Sequence, residues 1–474
     1  MMTTTYESQR LGMKYFAAAI ALFGVMIIAG LAAAAEYVFP GFLPGLPFSM
    51  QKILHIDTLI IWLLMGFLGS IYYLLPLEYE RDLVGLKLAN AVFWIFCATV
   101  LAVALTFIFV QIGPGTEKTL WLVNQGRKYV EAPRWASIVI TIGIAVFMYN
   151  VVGTAVKARR MTGVLWVLIA DLVPLFALYL IAFPAITNMS VDQYWWWWLV
   201  HFWVEATWEV LMACIVAILL MQLLGTQRKI VETWLYIEVA LVLGTGVLGI
   251  GHHYFWIGAP KYWMGIGGLF SALEPLPLLG MVVHAIYDAG EHQMKVSNRP
   301  AFFWMLAEAF GNFIGAGIWG FMITLPQINM FAHGTQWTAS HGHFAFWGAY
   351  GCGVITVIYL ALQHARRAQS FDSGAWKWGF ALLNLGIIAM AGALMVSGMT
   401  QAFYERAIGG STVSAFMSAQ QNPWFIEGMW VRLGAGLIFA AGYVVLVYDF
   451  LTIGRRVEVT ATSAPVLTGA AGGD

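Results

Sequence analysis

Long apolar stretches alternate along this chain with short polar breaks, and the pattern predicts twelve membrane-crossing helices. They fall at roughly 13–34, 52–76, 88–112, 135–155, 163–185, 195–223, 232–255, 263–287, 301–325, 340–363, 375–400 and 429–453. About 20 apolar residues cross the ~30 Å hydrocarbon core of a bilayer, so runs of this length point to lipid as the solvent. The first run lacks a small-residue cleavage site and eleven more follow it. It therefore reads as a helix rather than a removed signal. The expected architecture is an all-α integral membrane protein with a single twelve-helix domain over 1–456. The polar Ala/Gly/Thr-rich tail at 457–474 is expected to be disordered and cytoplasmic.

Composition agrees with this assignment: 61% of residues are hydrophobic and 10% are charged. The net charge is zero and the basic residues are scattered, so nothing marks a nucleic-acid surface. Their sidedness is informative. Of the 24 Lys and Arg, 16 fall in loops on the N-terminal side, including Lys157, Arg159, Arg160, Arg366, Arg367, Arg455 and Arg456. Both termini should then be cytoplasmic. The Trp195–Trp198 run fits an aromatic belt at the opposite interface. Cys97, Cys214 and Cys352 stand singly within helices. No CxxCH motif for covalent haem and no paired spacing for zinc is present, so they read as small buried hydrophobes.

Six of the ten histidines fall at the same, outer end of the predicted spans: His55, His201, His252, His253, His341 and His343. Ionisable groups inside lipid are costly and mark functional sites by default, and imidazole is the commonest ligand for haem iron and other transition metals. A layer of six points to a multi-metal redox centre. His341 and His343 are two residues apart, about 200° around a helix, so one helix can serve two cofactors on opposite faces. The adjacent His252 and His253 can converge on one ion if the helix end is irregular there. His201 and Glu205 stand at i and i+4, on one face. Three imidazoles and one carboxylate suit iron better than copper. His284, His292 and His364 on the inner side and His333 in an outer loop read as structural or solvated.

The spans also contain Asp57, Asp171, Glu205, Glu209, Glu238, Glu274 and Glu308. Glu209 shares the His201 face, and Glu274 lies about two turns further into its helix than the metal level. Both can donate protons beside a metal; the other acids, Glu205 aside, read as neutral interhelical bonders. In the outer loop, GRKYVEAP places Arg127 and Glu131 near the layer. A basic residue there can pair with haem propionates, and an acid can hold a hard cation such as calcium. No continuous polar series can be traced through the inner half, so protons are expected from the outer side, without pumping.

At these motifs the chain resembles the large subunit of bacterial cytochrome c-dependent nitric oxide reductase, a branch of the haem-copper oxidase superfamily. The resemblance runs from the first helix to the twelfth. It is carried by HIDTLIIWLLMGFLGSIYYLLP (55–76), WWWWLVHFWVEATWE (195–209), GIGHHYFWIGAPKYW (249–263), GGLFSALEPLP (267–277) and HGTQWTASHGHFAFWGAYG (333–351). It implies a subunit I-like fold in the bacterial cytoplasmic membrane, with the metal layer near the periplasm. His55 and His343 would bind a low-spin haem b axially, and His341 a high-spin haem b. His201, His252, His253 and Glu205 would hold a non-haem iron, Glu209 and Glu274 would serve it as acids, and Glu131 would bind calcium.

The implied activity is the respiratory reduction of two NO to N2O and water, in denitrification. Two irons in one pocket make N–N bond formation intramolecular. With no CxxCH here, electrons would come from a periplasmic donor through a small membrane-anchored cytochrome c subunit. Two features qualify the match. Lys261 stands in IGAPKYW where a small residue is expected, and only about a dozen residues precede the first helix, which favours the cytochrome c type over the quinol type. The alternative is a cbb-type haem-copper O2 reductase subunit I; Glu205 and the lack of a WYGHNAV-like motif at His201 argue against it. A histidine-relay transporter would show broken helices and internal repeats, and no convincing repeat is found.

Overall fold

The computed structural model describes residues 4–110, 117–158, 160–181, 183–184, 186–271, 276–368, 371–409 and 412–454. The tail 457–474 and Glu274 lie outside them. Among the described residues, eleven helices are long and apolar enough to cross a membrane. They are α1 (Glu7–Val38), α2 (Phe48–Tyr79), α3 (Leu86–Phe109), α4 (Arg134–Ala155), α5 (Gly163–Ile181), α6 (Met189–Leu224) and α7 (Arg228–His253), followed further along by α10 (Arg299–Thr324), α11 (Gln336–Arg366), α12 (Gly374–Ile408) and α13 (Pro423–Thr452). Within the eighth predicted span, 263–287, the described residues form the helices α8 (Tyr262–Phe270) and α9 (Leu276–Glu291), and 272–275 lie outside the described residues.

The helices begin where the sequence supplies caps. The Asn188 side chain accepts from Val191 N–H at the start of α6, Asn298 from Ala301 N–H at α10, and Ser373 from Trp376 N–H at α12. Each satisfies a backbone donor that the first helical turn leaves unpaired.

Lipid offers no hydrophobic drive between helices, so close approach through small residues carries the packing. A β-carbon on Gly12 would stand 2.8 Å from Gly69 O, which brings α1 against α2. Likewise α10 and α11 cross at Gly311 and Gly348, where a β-carbon on Gly348 would lie 2.4 Å from Gly311 C. Outward faces stay apolar, with Trp94, Leu101, Phe109, Leu437 and Val444 exposed. α6 and α11 are the most enclosed of the long spans.

The connectivity gives the bundle two distinct ends. α1 runs toward the end where His55 opens α2, and α13 runs away from it, so Glu7 and Thr452 share the end opposite the histidines.

Three of the long helices are interrupted where they pass the histidines. π-helical turns occupy Trp203–Thr207 in α6, Asn312–Ile318 in α10 and Phe346–Gly351 in α11. Such turns insert an extra residue and re-aim the side chains around them, commonly at functional sites. α7 ends in a tighter 3₁₀ turn, Ile250–His253.

Candidate metal and haem centre

The six layer histidines converge on one cavity of ≈ 920 Å³ at the histidine end, also bordered by Glu131, Glu205 and Glu209. Its volume is near the upper end of the range of about 300–1,000 Å³ for small-molecule and cofactor pockets.

At one side of the cavity, the π turn in α6 and the 3₁₀ end of α7 bring four groups together. Ligand atoms of His201, Glu205, His252 and His253 all lie within 4.8 Å of one another. Glu205 is central: its Oε2 is 3.4 Å from His201 Nδ1 and 3.6 Å from His252 Nε2, and its Oε1 is 3.6 Å from His253 Nε2.

Hydrogen bonds on the far sides of the rings set the tautomers. A carbonyl can only accept, so His201 donates from Nε2 to Gly246 O at 2.8 Å, leaving a lone pair on Nδ1. That Nδ1 is buried and has no hydrogen-bond partner. The Ser271 hydroxyl gives its proton to Gly267 O, so His252 Nδ1–H donates to Ser271 Oγ at 2.6 Å and its Nε2 is bare. His252 Nε2 and His253 Nε2 are 2.9 Å apart. Metal–nitrogen bonds of about 2.0–2.1 Å place neighbouring ligands about 3 Å apart, so this spacing suits one coordination shell. Trp197 holds the His253 ring face to face, centroids 3.7 Å apart and planes at 9°. These residues fit a cation. Ser271→Ala removes the acceptor for His252 and should weaken metal binding roughly 10–100-fold, as losses of such supporting bonds do. A competition titration with a chelator measures it; unchanged affinity would show that the bond does not orient the ring.

The remaining three histidines stand apart from this group. His55 on α2 and His343 on α11 face each other, with ring centroids 5.8 Å apart and planes at 29°. His55 Nδ1–H donates to Met26 O at 2.9 Å, and His343 Nδ1–H to Ala339 O at 2.7 Å, so both keep a free lone pair on Nε2. His341 points the other way from α11 and donates from Nδ1 to Gly315 O, in the π turn of α10, at 3.0 Å. Its Nε2 is therefore also bare. Three bare Nε2 atoms along one apolar cavity suit axial ligation of haem.

Glycine makes room for two of these rings: a β-carbon would come within 2.6 Å of His55 Nδ1 at Gly30 and 2.8 Å of His341 Cε1 at Gly320. Gly320→Ala should displace His341 at a cost of about 1–3 kcal/mol of packing strain. If His341 holds the high-spin haem that the resemblance implies, the expected result is an altered high-spin spectrum beside an intact low-spin one; unchanged optical spectra would rule out the contact.

Glu131 is buried in the same cavity, close to Asp57, and its Oε2 has no hydrogen-bond partner. Burial raises its carboxyl above the ordinary glutamate range, while the Lys128 and Lys52 ammonium groups pull it back. Lys52, Lys128 and Arg432 all border the cavity, offering positive charge to acidic groups. Arg127 is instead engaged by Asp192 and by Pro184 O. Glu209 Oε2 is buried without a hydrogen-bond partner. His333 also borders the cavity, beside Trp256, whereas His284, His292 and His364 lie away from it. Lys261 caps α8 and is exposed. Lys52 and Arg432 had no motif to mark them; only their outer-end position was a signal.

A helical membrane bundle that gathers a three-imidazole, one-carboxylate pocket and three further histidines in one cavity defines a membrane haem–metal oxidoreductase. The family model for cytochrome c and quinol oxidase polypeptide I matches residues 10–438. The chain is 38% identical to the B subunit of nitric oxide reductase from Stutzerimonas stutzeri, across 97% of this chain and 98% of that protein. Against a cytochrome c oxidase subunit 1 homolog of Agrobacterium tumefaciens (strain T37), identity is 22% over 92% and 82% of the two chains. A cbb3-type cytochrome c oxidase subunit of Stutzerimonas stutzeri matches at 24% over 47% and 45%. The chain belongs to the haem-copper oxidase subunit I family and, within it, to the nitric oxide reductase group.

Proposed function

We propose that this chain is the catalytic subunit of a nitric oxide reductase: two NO, two protons and two electrons give N2O and water. The observation that carries this reading is Glu205, a carboxylate aimed among three imidazoles whose free nitrogens face it. A hard oxygen in that set favours iron over copper, the metal of the O2-reducing relatives. His55 and His343 would hold a low-spin haem b, His341 a high-spin haem b, and His201, His252, His253 and Glu205 a non-haem iron. When bound, the two irons of the pocket supply neighbouring sites for two NO molecules and deliver the electrons.

The chain's own residues do the rest. Donation to Gly246 O, Ser271 Oγ, Met26 O, Ala339 O and Gly315 O keeps the lone pairs of five of the six rings turned inward before any ligand arrives, and the Trp197 stack fixes the His253 ring. Such prior orientation removes reorganisation from the reaction itself. Apolar lining excludes bulk water, and Glu209 can carry a proton on its unpartnered Oε2 at the edge of the pocket. Glu274, outside the described residues, is assigned the same kind of role by the resemblance alone. Glu131, with Asp57 beside it, would bind calcium. The layer would lie near the periplasm, both termini in the cytoplasm, and electrons would enter from a small membrane-anchored cytochrome c subunit.

Pyridine haemochrome spectra with elemental analysis of the purified complex test this directly, followed by an N2O assay. Two b haems and one further iron per chain, without copper, are expected. Copper in place of that iron would move the reading to an O2 reductase, and haem-free folded protein would overturn both.

A further inference from the structure

One buried hydroxyl beside the metal pocket plays no part in the proposed reaction. Tyr350 stands in the π turn of α11, is 3% exposed and borders the cavity. Its ring packs edge-on against Phe67 of α2 and Trp208 of α6, with centroids 5.6 and 5.7 Å away. Its hydroxyl crosses to α6 and donates to Val204 O at 2.5 Å, one residue before Glu205.

That acceptor exists because α6 contains a π turn. In an α-helix Trp208 N–H would bond the carbonyl four residues back, which is Val204 O. Here it bonds Trp203 O, five residues back, and Val204 O loses its helical donor. A bare backbone carbonyl is costly at membrane depth, so another donor has to reach it. α10 repeats the device. Trp319 N–H bonds Ile314 O instead of Gly315 O, and the released Gly315 O takes the His341 Nδ1 proton at 3.0 Å. In both turns a side chain of α11 reclaims the carbonyl that the π bond released. The α10 carbonyl orients a ring of the histidine layer, and the α6 carbonyl lies one peptide from the carboxylate.

Peptide geometry carries the effect onward. Val204 C=O and Glu205 N–H lie in one rigid plane that ends at the Glu205 Cα. A bond that pins the carbonyl therefore pins the backbone from which the carboxylate projects. Without it, Trp208 N–H can return to Val204 O, and Glu205 turns relative to His201. We infer that Tyr350 is a positioning residue: its hydroxyl holds the π turn of α6 and so keeps Glu205 aimed among His201, His252 and His253. The imidazoles have their own supports in Gly246 O, Ser271 Oγ and the Trp197 stack, so only the oxygen ligand depends on Tyr350. Loss of the hydroxyl should weaken ferrous iron, which uses the oxygen, and spare cuprous copper, which nitrogen satisfies. The inference rests on the reading of these four residues as an iron site, not on the reaction.

Chelator competition on the purified complex, stripped of its non-haem metal and kept free of oxygen, tests it with Fe2+ and Cu+ as probes. In Tyr350→Phe, ferrous affinity should fall roughly 10–100-fold, the usual loss when a ligand's support is removed. Cuprous affinity and both haem spectra should keep their wild-type values. Thr207→Val is the control. It deletes a hydroxyl that bonds Trp203 O at 3.2 Å, a carbonyl already held by Trp208 N–H, and should leave both affinities unchanged. Wild-type ferrous affinity in Tyr350→Phe overturns the inference. So does an equal loss for both ions, the same loss in Thr207→Val, or a Tyr350→Phe complex without its haems, since each means general packing and not aim. A wild type that binds no ferrous iron sinks the iron-site reading itself, and the inference with it.

Discussion

Replacing Glu205 with alanine is expected to empty the three-imidazole pocket of iron while both b haems stay bound, and to lower N2O formation by more than about a hundredfold. Loss of a residue that merely orients a ligand already costs roughly 10–100-fold, so loss of the ligand itself should exceed that. The geometry explains the separation between cofactors. Glu205 touches His201, His252 and His253, whereas His55, His341 and His343 are fixed by carbonyls of Met26, Gly315 and Ala339. Without the carboxylate, the pocket presents neutral nitrogen alone and a 2+ ion loses its one anionic partner. Such a site shifts toward copper. Glu205→Gln keeps the oxygen but removes the charge, and should bind iron weakly rather than not at all. Iron and copper per haem, measured beside the N2O rate, decide the matter. Full iron content with a wild-type rate in Glu205→Ala would end the ligand assignment.

The long helices were legible in the sequence because run length alone distinguishes a spanning helix from a soluble one. The site was legible because histidine is scarce in lipid, and depth along a helix follows from counting residues. Spacing also carried real information: the opposed directions of His341 and His343 follow from i, i+2 geometry, and the irregular end needed for His252 and His253 is the 3₁₀ turn Ile250–His253.

Other features had no local signal. A π turn at Trp203–Thr207 reflects what the neighbouring helices require, and nothing in WVEAT announces it. Arg432 and Lys52 stand in no motif, and only the fold brings them to the cavity. Asp57 read as a neutral interhelical bonder, but folding sets it at the cavity close to Glu131, 74 positions later in the chain.

His343→Ala and His341→Ala should produce opposite losses, although the two residues share one turn of α11. His343 faces His55 across the cavity, so its replacement should remove the sharp low-spin signature and leave the high-spin haem with His341. Electrons then lose their entry point, and N2O formation driven by cytochrome c should fall by more than about a hundredfold, since electron delivery and chemistry act in series. His341→Ala should do the reverse: the low-spin spectrum persists and still reduces rapidly, while the high-spin signal changes and turnover stops. Each variant keeps its own control, because Gly315 O and Ala339 O are backbone acceptors that the substitutions leave in place. Optical and paramagnetic resonance spectra of the two proteins separate the outcomes. If both variants lost the same haem, the two rings would serve one cofactor, and the opposed directions that α11 gives them would have to mean something else.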